Sequence, residues 1–140
     1  MTEAAIPLGL STTLATDFDN AVELTREALA AQGFGVLTEI DMRATMKAKL
    51  GHDMEDYLIL GACNPPLAHR AVEVDRQIGL LLPCNVVVRR ARDTTGTIVV
   101  EAMNPQLMVQ VTGEPALAPI AADAAIRLRA AIDSLHTDAS

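Results

Sequence analysis

The sequence predicts an α+β domain in which two long helices pack on one face of a mainly antiparallel sheet. Helical periodicity marks one long segment near each end of the chain, residues 17–32 and 121–135. Short apolar runs of strand length lie between them, and the clearest spans 57–62. Loops are short and apolar content nowhere collapses, so residues 1–140 form a single domain.

In chain order, residues 6–14 read as an opening strand, with Leu8, Leu10 and Thr12 at period two and Pro7 at its beginning. Thr16 or Asp17 can cap the first helix, whose buried stripe includes Phe18, Ala21, Val22, Ala28 and Leu29. Gly33 supplies its positive-φ stop, and Phe34 can fold back on the last turn. A strand over 34–40 follows, then a short helix capped by Asp41, with Met46 and Leu50 on one side and ended by Gly51. Lys47 and Lys49 suit its C-terminal dipole and otherwise read as solvated surface.

The run over 57–62 is apolar at every second position on both sides, which predicts an inner strand covered by helices. Asn64 and Pro65 start a helix whose buried stripe is Leu67, Ala68, Ala71 and Val72. Residues 78–90 read as another apolar strand, with Pro83 at an edge, a bulge or a junction because it cannot donate to a ladder. A turn over 93–96 returns the chain into a strand over 97–103. Residues 106–111 form a helical turn or a short last strand, 113–119 a loop with two prolines, and 121–135 the last helix, its inner side carrying Ala121, Ala124, Ala125, Leu128, Ile132 and Leu135. Residues 137–140 should fray.

Composition excludes several classes of function. Apolar residues make up 50% of the chain and charged residues 21%, as expected of a folded domain. Aromatic side chains make up 2%, so platforms for stacking bases are nearly absent, and the net charge of -7 repels phosphate backbones. Nucleic acid is therefore not an expected partner. The opening MTEAAIPLGL has neither the basic region nor the apolar core of a secretory signal, and the run IGLLLPC is far shorter than a membrane span. The expectation is a soluble cytoplasmic protein without a membrane partner, its two cysteines present as thiols. The dinucleotide, P-loop, zinc-protease and serine-hydrolase motifs are absent.

Cys63-Asn64 and Cys84-Asn85 hold most of the chemical interest, since both pairs interrupt apolar segments beside proline. The first expectation is that Cys63, Asn64, Cys84 and Asn85 line a pocket for a small ligand, with no cofactor identified. A structural role for all four, fixing loops and burying small thiols, is the plain alternative. An enzyme using Cys63 as nucleophile is another, because unpaired amides at the start of the following helix could lower its pKa. A metal is not expected: a closed zinc site wants four ligands, and His69 falls on the middle turn of its helix, away from Cys63. His52 and His136 read as surface residues, and the arginines of 89–92 as a short positive surface patch. Self-association is expected from Leu80, Leu82, Val86 and Val88 on one strand face with Leu81 and Val87 on the other, more apolar surface than one helical layer covers.

The strings GFGVLTEIDMRATMKAKLG and YLILGACNPPLAHRAVEVDRQIGLLLPCNVVV resemble the DUF302 family of small domains of unknown function, over nearly the whole chain. The recurring residues of that family fall here on Gly33, Asp41, Lys49, Gly61, Cys63, Asn64, Pro65, Pro83, Cys84, Asn85 and Asn104-Pro105. The resemblance implies the order β-α-β-β-β-β-α with added short helices, an architecture similar to that of the TATA-binding protein, and a homodimer. It implies no mechanism.

Overall fold

The computed structural model describes residues 6–138, with side chains through Leu135. Five strands, β1 (Gly9–Leu14), β2 (Gly35–Asp41), β3 (Tyr57–Cys63), β4 (Cys84–Arg90) and β5 (Ile98–Met103), pair antiparallel throughout in the order β1-β5-β4-β3-β2. The helices are α1 (Phe18–Ala31), α2 (Met42–Leu50), α3 (Pro65–Val74), α4 (Leu107–Thr112) and α5 (Ala118–Asp138). Without the three short helices the order is the expected β-α-β-β-β-β-α.

Period-two burial builds the main core. Leu58, Leu60 and Ala62 of β3, Cys84, Val86 and Val88 of β4, and Ile98, Val100 and Ala102 of β5 all point to one face. Ala28 and Leu29 of α1, with Leu128, Ile132 and Leu135 of α5, close over them. Each fully buried aliphatic side chain contributes roughly 1.5–3 kcal/mol. A second, smaller core gathers Leu67 and Ala71 of α3, Ile78, Met108, Leu117 and the first turns of α5.

Local chemistry sets the ends. Asp17 caps α1 through Asn20 N (2.7 Å), and Asp41 caps α2 through Ala44 N (2.9 Å). At the other end of α1, Gly33 (φ 85°) lets Gly33 N reach Ala30 O and Phe34 N reach Leu29 O, the paired closure of a Schellman motif.

Four expectations need correction. β1 begins at Gly9 because the carbonyls of Pro7 and Leu8 are taken by Asn104, at 3.0 Å and 2.9 Å. The strand expected over 78–90 is two elements: a 3-10 turn, Arg76–Leu81, and β4, joined through the cis Leu82-Pro83 bond. Leu80 and Leu82 therefore share no strand face with Val86, and Leu80 is 83% exposed. β3 is fully buried on one face only, through Leu58, Leu60 and Ala62, while Tyr57 and Ile59 on the other are half-buried. α5 starts three residues early, because Glu114 caps a 3-10 turn, Pro115–Leu117, that runs directly into it. The expectations for His136, for the fraying of Ala139 and Ser140 and for residues 1–5 lie outside what is described.

Candidate functional site

A cavity of about 30 Å³ lies at the seam between the two cores. Phe34, Ala62 and Cys84 reach it from the main core, Leu67, Met108 and Ile120 from the smaller one, and Cys63 and Asn64 stand between. Volume limits what it can hold. A single water needs roughly 10–15 Å³, whereas pockets for drug-sized ligands run to roughly 300–1,000 Å³. A space of this size admits an ion or a molecule of very few atoms.

Strand ends position the two cysteines. Cys63 is the last residue of β3 and Cys84 the first of β4, and Cys84 pairs in register with Ala62, next to Cys63. Gly61 makes the approach possible: Thr38 and Pro83 pack on either side of it where a side chain would stand. Asn64 caps α3, its Oδ1 accepting from Leu67 N at 3.2 Å, and its Nδ2 sits against Gly33 at the end of α1.

The cap also decides the electrostatics. Of the four amides that a helix start leaves free, two are missing because Pro65 and Pro66 have no N–H. Leu67 N goes to the Asn64 side chain and Ala68 N to Asn64 O, at 2.9 Å. Residues Pro65 to Ala68 therefore offer no free amide to the Cys63 thiol. Burial accordingly raises the pKa of Cys63, and burial together with the neighbouring Cys63 pushes Cys84 up to about 11. Both thiols are protonated at neutral pH. His69 points to solvent beside Glu73 at 3.8 Å, with its side chain 77% exposed. Among the described residues, no three His, Cys, Asp or Glu side chains converge.

Three of the four predicted site residues, Cys63, Asn64 and Cys84, share this cavity, and Asn85 does not. Strand alternation turns Asn85 to the opposite sheet face, where it lines a shallow depression of about 300 Å³ with Tyr57, Val87, Glu101 and Met103. Met108 and Phe34 are the wall residues that sequence reading missed. Helical spacing could have suggested Met108 only if residues 106–111 had been assigned to a helix.

The arginines of 89–92 are each engaged. Arg89 Nε meets Glu101 at 2.9 Å, Arg90 meets Asp56 at 2.9 Å and Arg92 meets Glu55 at 4.0 Å. Arg43 joins the Asp56 cluster at 2.7 Å. Among the described residues, no helix is long and apolar enough to cross a membrane.

Comparison with known proteins agrees with this architecture. Residues 10–135 match DUF302, a domain of unknown function. A crystal structure of an uncharacterized conserved DUF302 protein from Bacillus stearothermophilus superposes with a TM-score of 0.81 at 31% identity, covering 90% of this chain and 96% of that one. No curated protein matches.

Proposed function

The chain belongs to the DUF302 family, and we propose that it is a binding domain for a very small ligand, held in the seam cavity with Cys63, Asn64 and Cys84 in the wall. One observation carries this reading: both cysteines, far apart in the chain, border the same small hollow between two otherwise separate cores. Asn85 is no part of the site. The thiol-enzyme alternative asks for an acidic Cys63 and a nearby base. Burial moves that thiol the wrong way, and His69 faces solvent. The reading is tested by amide NMR spectra recorded with small probes such as dissolved hydrogen sulfide. Shifts confined to the start of α3, Cys84 and Met108, and abolished when Ala68→Leu narrows the cavity, support it. Shifts scattered over the surface refute it.

A second reading, self-association, rests on a different observation. The sheet face opposite the main core presents half-buried Tyr57, Ile59, Val87 and Val99 around the Arg89–Glu101 pair. A monomer rarely leaves a patch of that kind uncovered. A homodimer joined through this face should sediment at about twice 14.9 kDa and revert to monomer with Val87→Arg. A monomer at micromolar concentration overturns it.

A further inference from the structure

We infer that the outer edge of β1 is a docking site for an extended peptide of a partner protein, added to the sheet as a further strand, with an apolar side chain between β1 and α5 and a carboxylate on Arg129. The site lies apart from the seam cavity and shares no wall residue with it. β1 ends the sheet, and among the described residues no strand lies beyond it. Hydrogen bonding fixes which of its backbone groups are free. Asn104 N donates to Leu8 O at 2.9 Å, in line with the register that pairs Gly9 with Met103 and Leu10 with Ala102, so Leu10, Thr12 and Leu14 turn their N–H and C=O groups toward β5. Gly9, Ser11 and Thr13 turn theirs outward, where an added strand would pair with them.

The two edges of the sheet are not alike. Folded proteins protect a free edge with charge, proline or a bulge. β2 has a bulge between Val36 and Thr38 and carries Glu39 and Asp41. β1, GLSTTL, has none of these, and its register with β5 runs unbroken from Gly9 to Leu14. An edge left regular and uncharged is a template for strand addition.

A hollow beside that edge decides what the added strand should carry. α5 shows two stripes at helical spacing: Ala121, Ala124 and Leu128 are buried in the cores, whereas Ala122, Ala125, Ile126 and Arg129 line an open hollow of about 550 Å³ with Leu10 of β1. The alanines make room, and Ile126, 70% exposed, leaves apolar surface uncovered in its wall. On an added strand, side chains turned to the helix side fall beside Leu10 and enter this hollow. Arg129 supplies the charge of the wall. It meets Asp133 at 3.7 Å with both side chains at least half exposed, so its guanidinium keeps donors for a second carboxylate. A second copy of the chain is the poorer fit, because its own GLSTTL offers no acid and its β2 is bulged. The fitting partner is an extended segment with an apolar and an acidic side chain at alternate positions on one face.

The test uses the full chain and a fluorescein-labelled hexapeptide of alternating threonine and valine that ends in aspartate, read by fluorescence anisotropy beside a companion ending in lysine and a third peptide N-methylated along its backbone. The aspartate peptide should bind, the lysine peptide about fivefold more weakly, and the N-methylated one not at all. Arg129→Glu should abolish the preference for aspartate. Ser11→Pro removes an outward N–H that the sheet does not use, and should weaken binding at least about tenfold. Circular dichroism checks that this variant is folded, and Ala125→Gln, which crowds the hollow without touching the edge, keeps the test decisive if it is not. Binding that survives N-methylation, or that neither Ser11→Pro nor Ala125→Gln weakens, overturns strand addition, as does a failure of all three peptides to bind. Equal affinity for the aspartate and lysine peptides overturns the role of Arg129. Sedimentation in the Val87→Arg background, which removes the sheet-face contact, tests the second copy: a dimer that Ser11→Pro dissolves assigns this edge to self-pairing and overturns the peptide partner, whereas a monomer that binds the peptide supports it.

Discussion

A methyl group added at Gly61 tests how the two cysteine segments are held together. A Cβ there would lie 2.1 Å from Thr38 Oγ1 and 2.8 Å from Pro83 Cγ. The two walls differ in stiffness. Thr38 is exposed and can swing its hydroxyl away, but the Pro83 ring is fixed by the backbone between the 3-10 turn and β4. It can move only by displacing Cys84. Overpacking of this kind costs about 1–3 kcal/mol, and the lower unfolded-state entropy of alanine returns about 0.4–1 kcal/mol. Gly61→Ala should therefore lose roughly 1–2 kcal/mol, lowering Tm by about 3–8 °C for a chain of this size. Thr38→Ala should recover only a fraction of that loss. Gly35→Ala is the control, since no atom lies within 4 Å of its would-be Cβ, and it should stay within about 0.5 kcal/mol of wild type. Denaturant melts of the four proteins decide the matter. A neutral Gly61→Ala, or full rescue by Thr38→Ala, would show that Pro83 is not the rigid wall.

Three further outcomes follow from the same geometry. Partial burial alone would raise the Asp56 pKa, but hydrogen bonds and charge from Arg90 and Arg43 outweigh it and hold the carboxyl below its ordinary value. A depressed folded pKa contributes stability above the unfolded value of about 3.9 and loses it as pH falls through the folded one. The stability gap between wild type and Asp56→Asn, about 1 kcal/mol at neutral pH for this partly exposed cluster, should therefore shrink in acid; a gap that does not change with pH contradicts the assignment. Iodoacetamide should modify both thiols slowly at neutral pH, with Cys63 accelerating first and Cys84 only toward about 11; a fast neutral-pH reaction at Cys63 would restore the nucleophile reading. Asn64→Ala should cost about 1 kcal/mol through loss of the α3 cap while Asn64→Asp keeps most of it, and equal stability of the two by chemical denaturation would show that the cap is not formed.

Local rules read most of this fold correctly. Gly33, Asp41, Asn64 and Gly51 each announce a helix end, and alternation in β4 and β5 announces a sheet with one buried face. Errors arose where two residues compete over one segment. Ile78–Leu82 has the apolarity of a strand, but Gly79 and Pro83 break the ladder, and apolar content cannot tell a buried 3-10 turn from a strand. Asn85 was misplaced for a similar reason: the repeated Cys-Asn pair suggested one site, whereas the first asparagine is a helix cap and the second lies mid-strand, facing the other way.

The strings that carry the family resemblance can be sorted by what packing requires of each residue. Gly61 is required by Thr38 and Pro83, Asn64 and Pro65 by the start of α3, and Pro83 by the wall it makes against Gly61. The cysteines are different. Alanine would fill a half-buried position such as Cys63 nearly as well, because a free thiol acts as a small hydrophobe in packing. Packing therefore gives no reason for sulfur at Cys63. Cys63→Ala should remain within about 0.5 kcal/mol of wild type in a denaturant melt. A marked loss of stability would return Cys63 to the scaffold.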